Sequence, residues 1–110
     1  MVISSKMIHA YLQPYQPQLI ELCQQNVVKR LYAFGSVTSS AFDEARSDVD
    51  LLVELPDDMA PEQRGETYFR LLFGLEALFG RRVDLVVNKP FRNPYFARAV
   101  EQSKELLYAA

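Results

Sequence analysis

The chain has 110 residues, enough for one domain with one modest core, and 49% of them are hydrophobic, as a globule needs. A net charge of −2 leaves no basic excess for a long nucleic-acid substrate. The single cysteine, Cys23, excludes an internal disulfide, and neither a signal-like start nor a membrane-long apolar stretch is present, so a cytoplasmic protein without a membrane partner is expected.

Met1 to Tyr11 reads either as a ragged start or as a helix docked on the body. Pro14 and Pro17 frame a helix start, and Leu19, Leu22 and Cys23 recur at helical spacing. This predicts a helix from about Gln16 to Gln25, with Asn26 as its stop. Val27 to Phe34 is β-branched and aromatic and is expected as the first strand. Ser36 to Phe42 follows as a short helix, Phe42 to Ser47 as a polar loop, and Asp48 to Leu55 as the second strand. Pro61 and Glu62 open a long helix that reaches Phe79 and stops at Gly80. Tyr68, Leu71, Leu72, Leu75, Leu78 and Phe79 form its apolar stripe, with Phe69 and Phe73 off it. Val83 to Val87 is the third strand. Asn93 and Pro94 cap and start a final helix, whose apolar face is expected to be Phe96, Ala99, Val100, Ser103, Leu106 and Leu107. Strands with intervening helices point to an α/β layer.

Residues 31–55 organise the rest. An apolar run ends on Gly35-Ser36, and a second begins on Asp48 and Asp50. Side chains alternate along a strand, so these two carboxylates share a face while Val49, Leu51, Val53 and Leu55 face a core. Two like charges so close repel, and a hard cation cancels that cost. Asp84 sits inside another apolar run, where a carboxylate is expensive unless paired or metal-bound. If the two strands are neighbours, three carboxylates converge, a ligand stock for one or two Mg2+ ions that take phosphate oxygens as further ligands. Gly35 lets the backbone approach an anion, and Ser36 adds a hydroxyl. Taken singly, Asp48 also fits a turn, Asp50 an edge-strand charge, and Asp84 an ion pair with Arg81 or Arg82.

Gly35-Ser36, the polar gap, Asp48-Val49-Asp50 and the later Asp84 resemble the nucleotidyltransferase superfamily that includes DNA polymerase beta. The short length and the ending from Asn93-Pro94-Tyr95 to Leu106-Leu107-Tyr108 are similar, more narrowly, to the MNT group of minimal nucleotidyltransferases, often antitoxins paired with a helical HEPN partner. The resemblance runs from about Val27 to Tyr108 within an expected single domain of residues 1–110. It implies an α/β (α+β) fold, a small mixed sheet flanked by helices with a two-layer core. It also implies AMP transfer from ATP, or another NMP from its triphosphate, to a hydroxyl, with two Mg2+ ions. Asp48 and Asp50 would hold the ion on the triphosphate, Asp84 would join them for the second, and Gly35 and Ser36 would hold the outer phosphates. Many family members carry a basic residue just after Gly-Ser. Here Val37-Thr38-Ser39-Ser40 has none, so Thr38, Ser39 and Ser40 are expected either as hydrogen-bond donors or simply as turn and cap residues, and Arg46 as a substitute cation or a solvated loop residue.

By the same resemblance the partner is a HEPN-type toxin, the acceptor a tyrosine hydroxyl near its ribonuclease site, and the effect that of an antitoxin. One alternative is a catalytically weak antitoxin that masks a helical partner, and a further one is a small-molecule or RNA nucleotidyltransferase. Phe69 and Phe73 serve either the core or an interface, homo- or hetero-oligomeric, through helix 61–80. Lys89, Arg92 and Arg98 form a solvated basic face or contact phosphate or a partner. His9, the one histidine, is expected at the surface or in packing, and Cys23 in the core.

Overall fold

A computed structural model describes residues 10–39 and 42–110. His9, and all but the end of the ambiguous Met1–Tyr11 segment, lie outside the described residues. The elements in chain order are α1 (Gln16–Gln25), β1 (Arg30–Phe34), β2 (Val49–Glu54), α2 (Pro61–Phe79), β3 (Val83–Val87), α3 (Pro94–Ser103) and β4 (Glu105–Ala109). The strands form one mixed sheet in the order β3-β2-β1-β4. β1 runs antiparallel to both β2 and β4, and β2 runs parallel to β3.

Strand alternation divides the side chains between two layers. Val49, Leu51 and Val53 of β2 are buried with Leu19 and Cys23 of α1 and with Leu71, Leu75 and Phe79 of α2. Burial pushes the Cys23 thiol up to about 12, so it packs as a neutral small hydrophobe. On the opposite face Leu52 joins Phe34 and Val100 of α3, with Tyr32, Val86 and Phe91 around them. The expected two-layer α/β core is therefore extended by α3, which covers part of the second face. α2 starts on Pro61 and ends on Gly80, whose φ of 61° closes the helix in the left-handed conformation. Asn93 caps α3 by accepting from the N–H groups of Tyr95 and Phe96 at 2.9 and 3.2 Å.

Three boundaries differ from expectation by more than one residue, while β2 is one residue shorter at each end. The final helix stops at Ser103, and Leu106 and Leu107 belong to β4 rather than to a helix face. Lys104 turns extended while its N–H makes the last helical bond to Val100 O, and the chain then pairs along the free edge of β1. Pairing that edge outweighs the helical spacing of the leucines. The helix expected over Ser36–Phe42 is a 3-10 turn at Gly35–Thr38, followed by an extended Ser39; Ser40 and Ala41 lie outside the described residues.

The third difference is at the start of β1, which is Arg30 rather than Val27. Val28 N–H donates to Cys23 O at 2.9 Å and Val27 N–H to Gln24 O at 3.3 Å, the paired bonds of a Schellman stop. Such a stop needs a left-handed residue, and Val27 supplies it with φ 54°. A β-branched residue is strained there by roughly 1–2 kcal/mol, and its side chain is 58% exposed, so little packing offsets the strain. Val27→Gly should therefore raise stability by about 1 kcal/mol after glycine's entropy cost, seen as a melting temperature about 5 °C higher by calorimetry.

Candidate active site

Residues of β1, β2 and β3 on the α3 face line up across the sheet. Phe34 pairs with Asp50 in the antiparallel register, and Asp50 pairs with Asp84 in the parallel one. The structure thus brings Asp50 and Asp84 side by side. Asp48 lies just before β2, where Val49 N–H reaches Arg82 O at 3.4 Å. Its Oδ2 stands 3.9 Å from Arg82 Nε, with the arginine largely and the aspartate about half exposed, a weak contact in water. Asp84 makes no ion pair with Arg81 or Arg82 among the described residues, but it is exposed on the edge strand β3, so the expected cost of burying its charge does not arise.

Asp50 differs from Glu54, an acid on the same face of β2. Glu54, two side chains along, accepts from Arg30 Nη1 at 2.7 Å and Asn88 Nδ2 at 2.6 Å. Burial alone would raise its carboxyl, but those two donors hold it below the usual value. Asp50 is half-buried and has no such donor among the described residues. Desolvation pushes its carboxyl up to about 6, and the charges of Asp84 and Asp48 add to the rise. A desolvated carboxylate facing two more carboxylates is a place where a hard cation is strongly favoured, and an all-oxygen donor set is the right kind for one. As they stand, no three His, Cys, Asp or Glu side chains among the described residues are gathered tightly enough to hold one ion. Asp48 Oδ2 lies 3.9 Å from Arg82 Nε instead.

Gly35 forms the wall beside Asp50. Its φ is 71°, and a Cβ at this position would lie 2.6 Å from Asp50 Oδ2. Only glycine combines that backbone with that approach. The hydroxyls that follow serve the turn itself: Thr38 Oγ donates to Gly35 O at 2.7 Å and Ser39 Oγ to Ser36 O at 3.1 Å. Val37 is fully buried in the core. Ser36 is half-buried at the turn, and Arg46 is exposed in the loop before Asp48. Beyond β3, Lys89 shares a cleft of about 320 Å3 with Phe91, Val100 and Glu101, while Arg92 and Arg98 are exposed.

Residues 17–107, most of the chain, match the nucleotidyltransferase domain family. The chain belongs to this family. The span matched holds the Gly35 turn and all three aspartates. Two proteins of Methanocaldococcus jannaschii, MJ1379 and MJ0128, each provisionally named a protein adenylyltransferase, are similar to this nucleotidyltransferase. MJ1379 is 33% identical over 74% of the chain and 76% of its own length. MJ0128 is 34% identical over the same shares. A solved structure described as a minimal nucleotidyltransferase superposes with a TM-score of 0.67 at 28% identity, covering 92% of this chain and 97% of that one. The same fold occurs in a toxin–antitoxin crystal structure with AMP-PNP, at TM-score 0.62 and 23% identity over 86% of this chain and 73% of that one. It occurs again in the complex of a tri-AMPylated Shewanella oneidensis HEPN toxin with its MNT antitoxin, at 0.59 and 22% over 89% and 72%. Among the described residues, no helix of the nucleotidyltransferase is long and apolar enough to cross a membrane.

Sequence reasoning missed what holds these parts in place. Arg81 Nη1 donates to Ser47 O at 3.0 Å and Nη2 donates to Glu44 O. Its guanidinium also stacks over the rings of Tyr11 at 5.0 Å and Phe42 at 5.5 Å. Arg81 is therefore a clamp on the loop that delivers Asp48. An arginine after a helix-stopping glycine carries no such signal in sequence, because its acceptors are backbone carbonyls far away in the chain.

Proposed function

We propose that this nucleotidyltransferase moves AMP from ATP to a protein hydroxyl, a tyrosine of a HEPN-type toxin, and so acts as that toxin's antitoxin. The observation that carries this is Asp50, desolvated between Gly35 and Asp84 with acids for neighbours and no cation paired to it among the described residues. The names of the archaeal relatives support the transferred group, and the toxin–antitoxin structures with the same fold support the class of partner.

In the transfer, the acceptor oxygen bonds to the α-phosphorus while the bond from that phosphorus to the pyrophosphate bridging oxygen breaks. Pyrophosphate leaves with the electron pair, and the hydroxyl proton passes to solvent. Asp48, Asp50 and Asp84 would hold two Mg2+ ions. When bound, these offset the charge of the triphosphate and lower the pKa of the acceptor hydroxyl. The chain's own part is positional. β2 and β3 present Asp50 and Asp84 side by side, Arg81 fixes the approach to Asp48, and Gly35 and Ser36 would border the outer phosphates. Thr38 and Ser39 brace that turn, and Arg46, exposed in the loop before Asp48, would be a cation for those phosphates.

A masking antitoxin is the second reading. Phe69 and Phe73 favour it, because they stack at 6.1 Å between ring centroids on α2 while 54% and 63% exposed. Such a pair suits a groove on a helical partner. Incubation with labelled ATP, Mg2+ and the product of the neighbouring gene separates the two. Label on the partner that disappears in Asp48→Ala and Asp50→Ala variants supports transfer. Partner inhibition that survives both changes supports masking and overturns transfer as the mechanism. Changing Phe69 and Phe73 together to Ser should weaken partner binding about 100-fold by calorimetric titration while ATP binding stays unchanged. Unaltered partner affinity would move the interface away from α2.

A further inference from the structure

We infer that Ser103, the last residue of α3, is a positioning residue that sets the place of the Gly35 turn against Asp50; this rests on the nucleotidyl-transfer reading above. Gly35 N–H donates to Ser103 Oγ at 3.0 Å across 68 positions of sequence. The Ser103 hydroxyl in turn donates to Ala99 O at 2.9 Å. A hydroxyl has one proton and two lone pairs. With its proton committed to the helix, its acceptor side is aimed at Gly35 and cannot swing away.

The turn needs such a hold. A glycine has no side chain with which to anchor itself, and its backbone roams more widely than any other residue's. Yet Gly35 sits so close to Asp50 that a Cβ would stand 2.6 Å from Oδ2. Small shifts of Gly35 therefore change the space beside that carboxylate. Ser103 itself is well fixed. Asn93 caps the other end of α3, Val100 is buried with Phe34 and Leu52, and β4 begins two residues after Ser103 and pairs with β1. β1 leads directly into Gly35, so the hydrogen bond closes a ring through helix, strand and turn. One consequence refines the site: the Gly35 amide is occupied within the protein, so this glycine offers a phosphate close approach rather than its N–H.

The test uses the full chain as wild type, Ser103→Ala and Ser103→Thr. Ser103→Ala should speed amide exchange at Gly35 about 5–10-fold by NMR and raise KM for ATP about 3–10-fold. Ser103→Thr should restore both, since a threonine hydroxyl makes the same bond to the carbonyl one turn back. Unchanged exchange at Gly35 in Ser103→Ala overturns the inference. So does a lower melting temperature and kcat with KM unmoved, which marks a purely structural role. Wild-type protein that transfers no nucleotide overturns the reading of the site and this inference with it, and that failure is recognised by its presence before Ser103 is touched.

Discussion

Asp50→Asn is expected to lose about a thousandfold in transfer while making the metal-free protein more stable at neutral pH. On the proposed reading the loss follows from removing a carboxylate that would hold the cation in a reaction whose catalysis is largely electrostatic, worth roughly 4 kcal/mol. The gain follows from the carboxyl being pushed up to about 6, from 3.8 for a free side chain, first by desolvation and then by Asp84 and Asp48. A carboxyl raised in the folded state favours folding most at low pH. That contribution fades as pH rises through the folded value, and above it the ionised group is a penalty. The amide carries no such penalty. Wild type and variant should therefore match below about pH 4 and diverge up to about pH 7, the variant ahead. The full shift would be about 3 kcal/mol, but the group is only half-buried, and solvent screening reduces it to about 1–2 kcal/mol. Urea unfolding in EDTA across that range measures the difference. Added Mg2+ should raise the melting temperature of the wild type and leave that of Asp50→Asn unmoved. A variant that is no more stable at pH 7, or one that still transfers, contradicts the assignment.

Gly35→Ala should cost both stability and activity. The left-handed backbone at φ 71° charges any side chain about 1–2 kcal/mol. The new Cβ would also stand 2.6 Å from Asp50 Oδ2, closer than real contacts allow, so the carboxylate or the turn must move. Together these predict a loss of about 2–3 kcal/mol and a melting temperature lower by about 10 °C or more. Transfer should fall about 100-fold at temperatures where the variant is folded, because a group misplaced by about an ångström loses that much. A double-mutant cycle isolates the clash. In an Asp50→Ala background Gly35→Ala should cost only its backbone share, leaving about 1 kcal/mol of coupling by denaturant unfolding. Additive effects would mean that the two residues do not touch.

The sequence was most informative where local chemistry settles local structure. Pro61 and Gly80 bound α2 because one residue cannot continue a helix backwards and the other readily ends it, and Asn93-Pro94 marks the start of α3 for similar reasons. The alternation around Asp50 was legible too, since Val49, Leu51 and Val53 could only face a core. The register that sets Asp50 beside Asp84 was a conjecture from two separate apolar runs. It became a fact only through the parallel pairing. β4 was invisible because Glu-Leu-Leu-Tyr-Ala has no clean period, and only the open edge of β1 decides its state. Val27 was misread for a related reason. Its β-branched side chain argues for a strand, while the helix stop before it demands a conformation that valine resists. Arg81 and Ser103 act through backbone groups remote in sequence, and no residue type announces that.

The parallel pairing of β2 with β3 bears on how the protein matures. β1 and β2 form an antiparallel pair joined through residues 35–48, but β3 can join only after the longer crossover through α2. Such non-local contacts are slow to form because the closure entropy comes before the reward. A nascent chain that has collapsed around its first two strands would already be compact and would still keep Asp84 away from Asp50. Catalytic competence should thus emerge only once β3 has paired with β2, later in refolding than the pairing of β1 with β2.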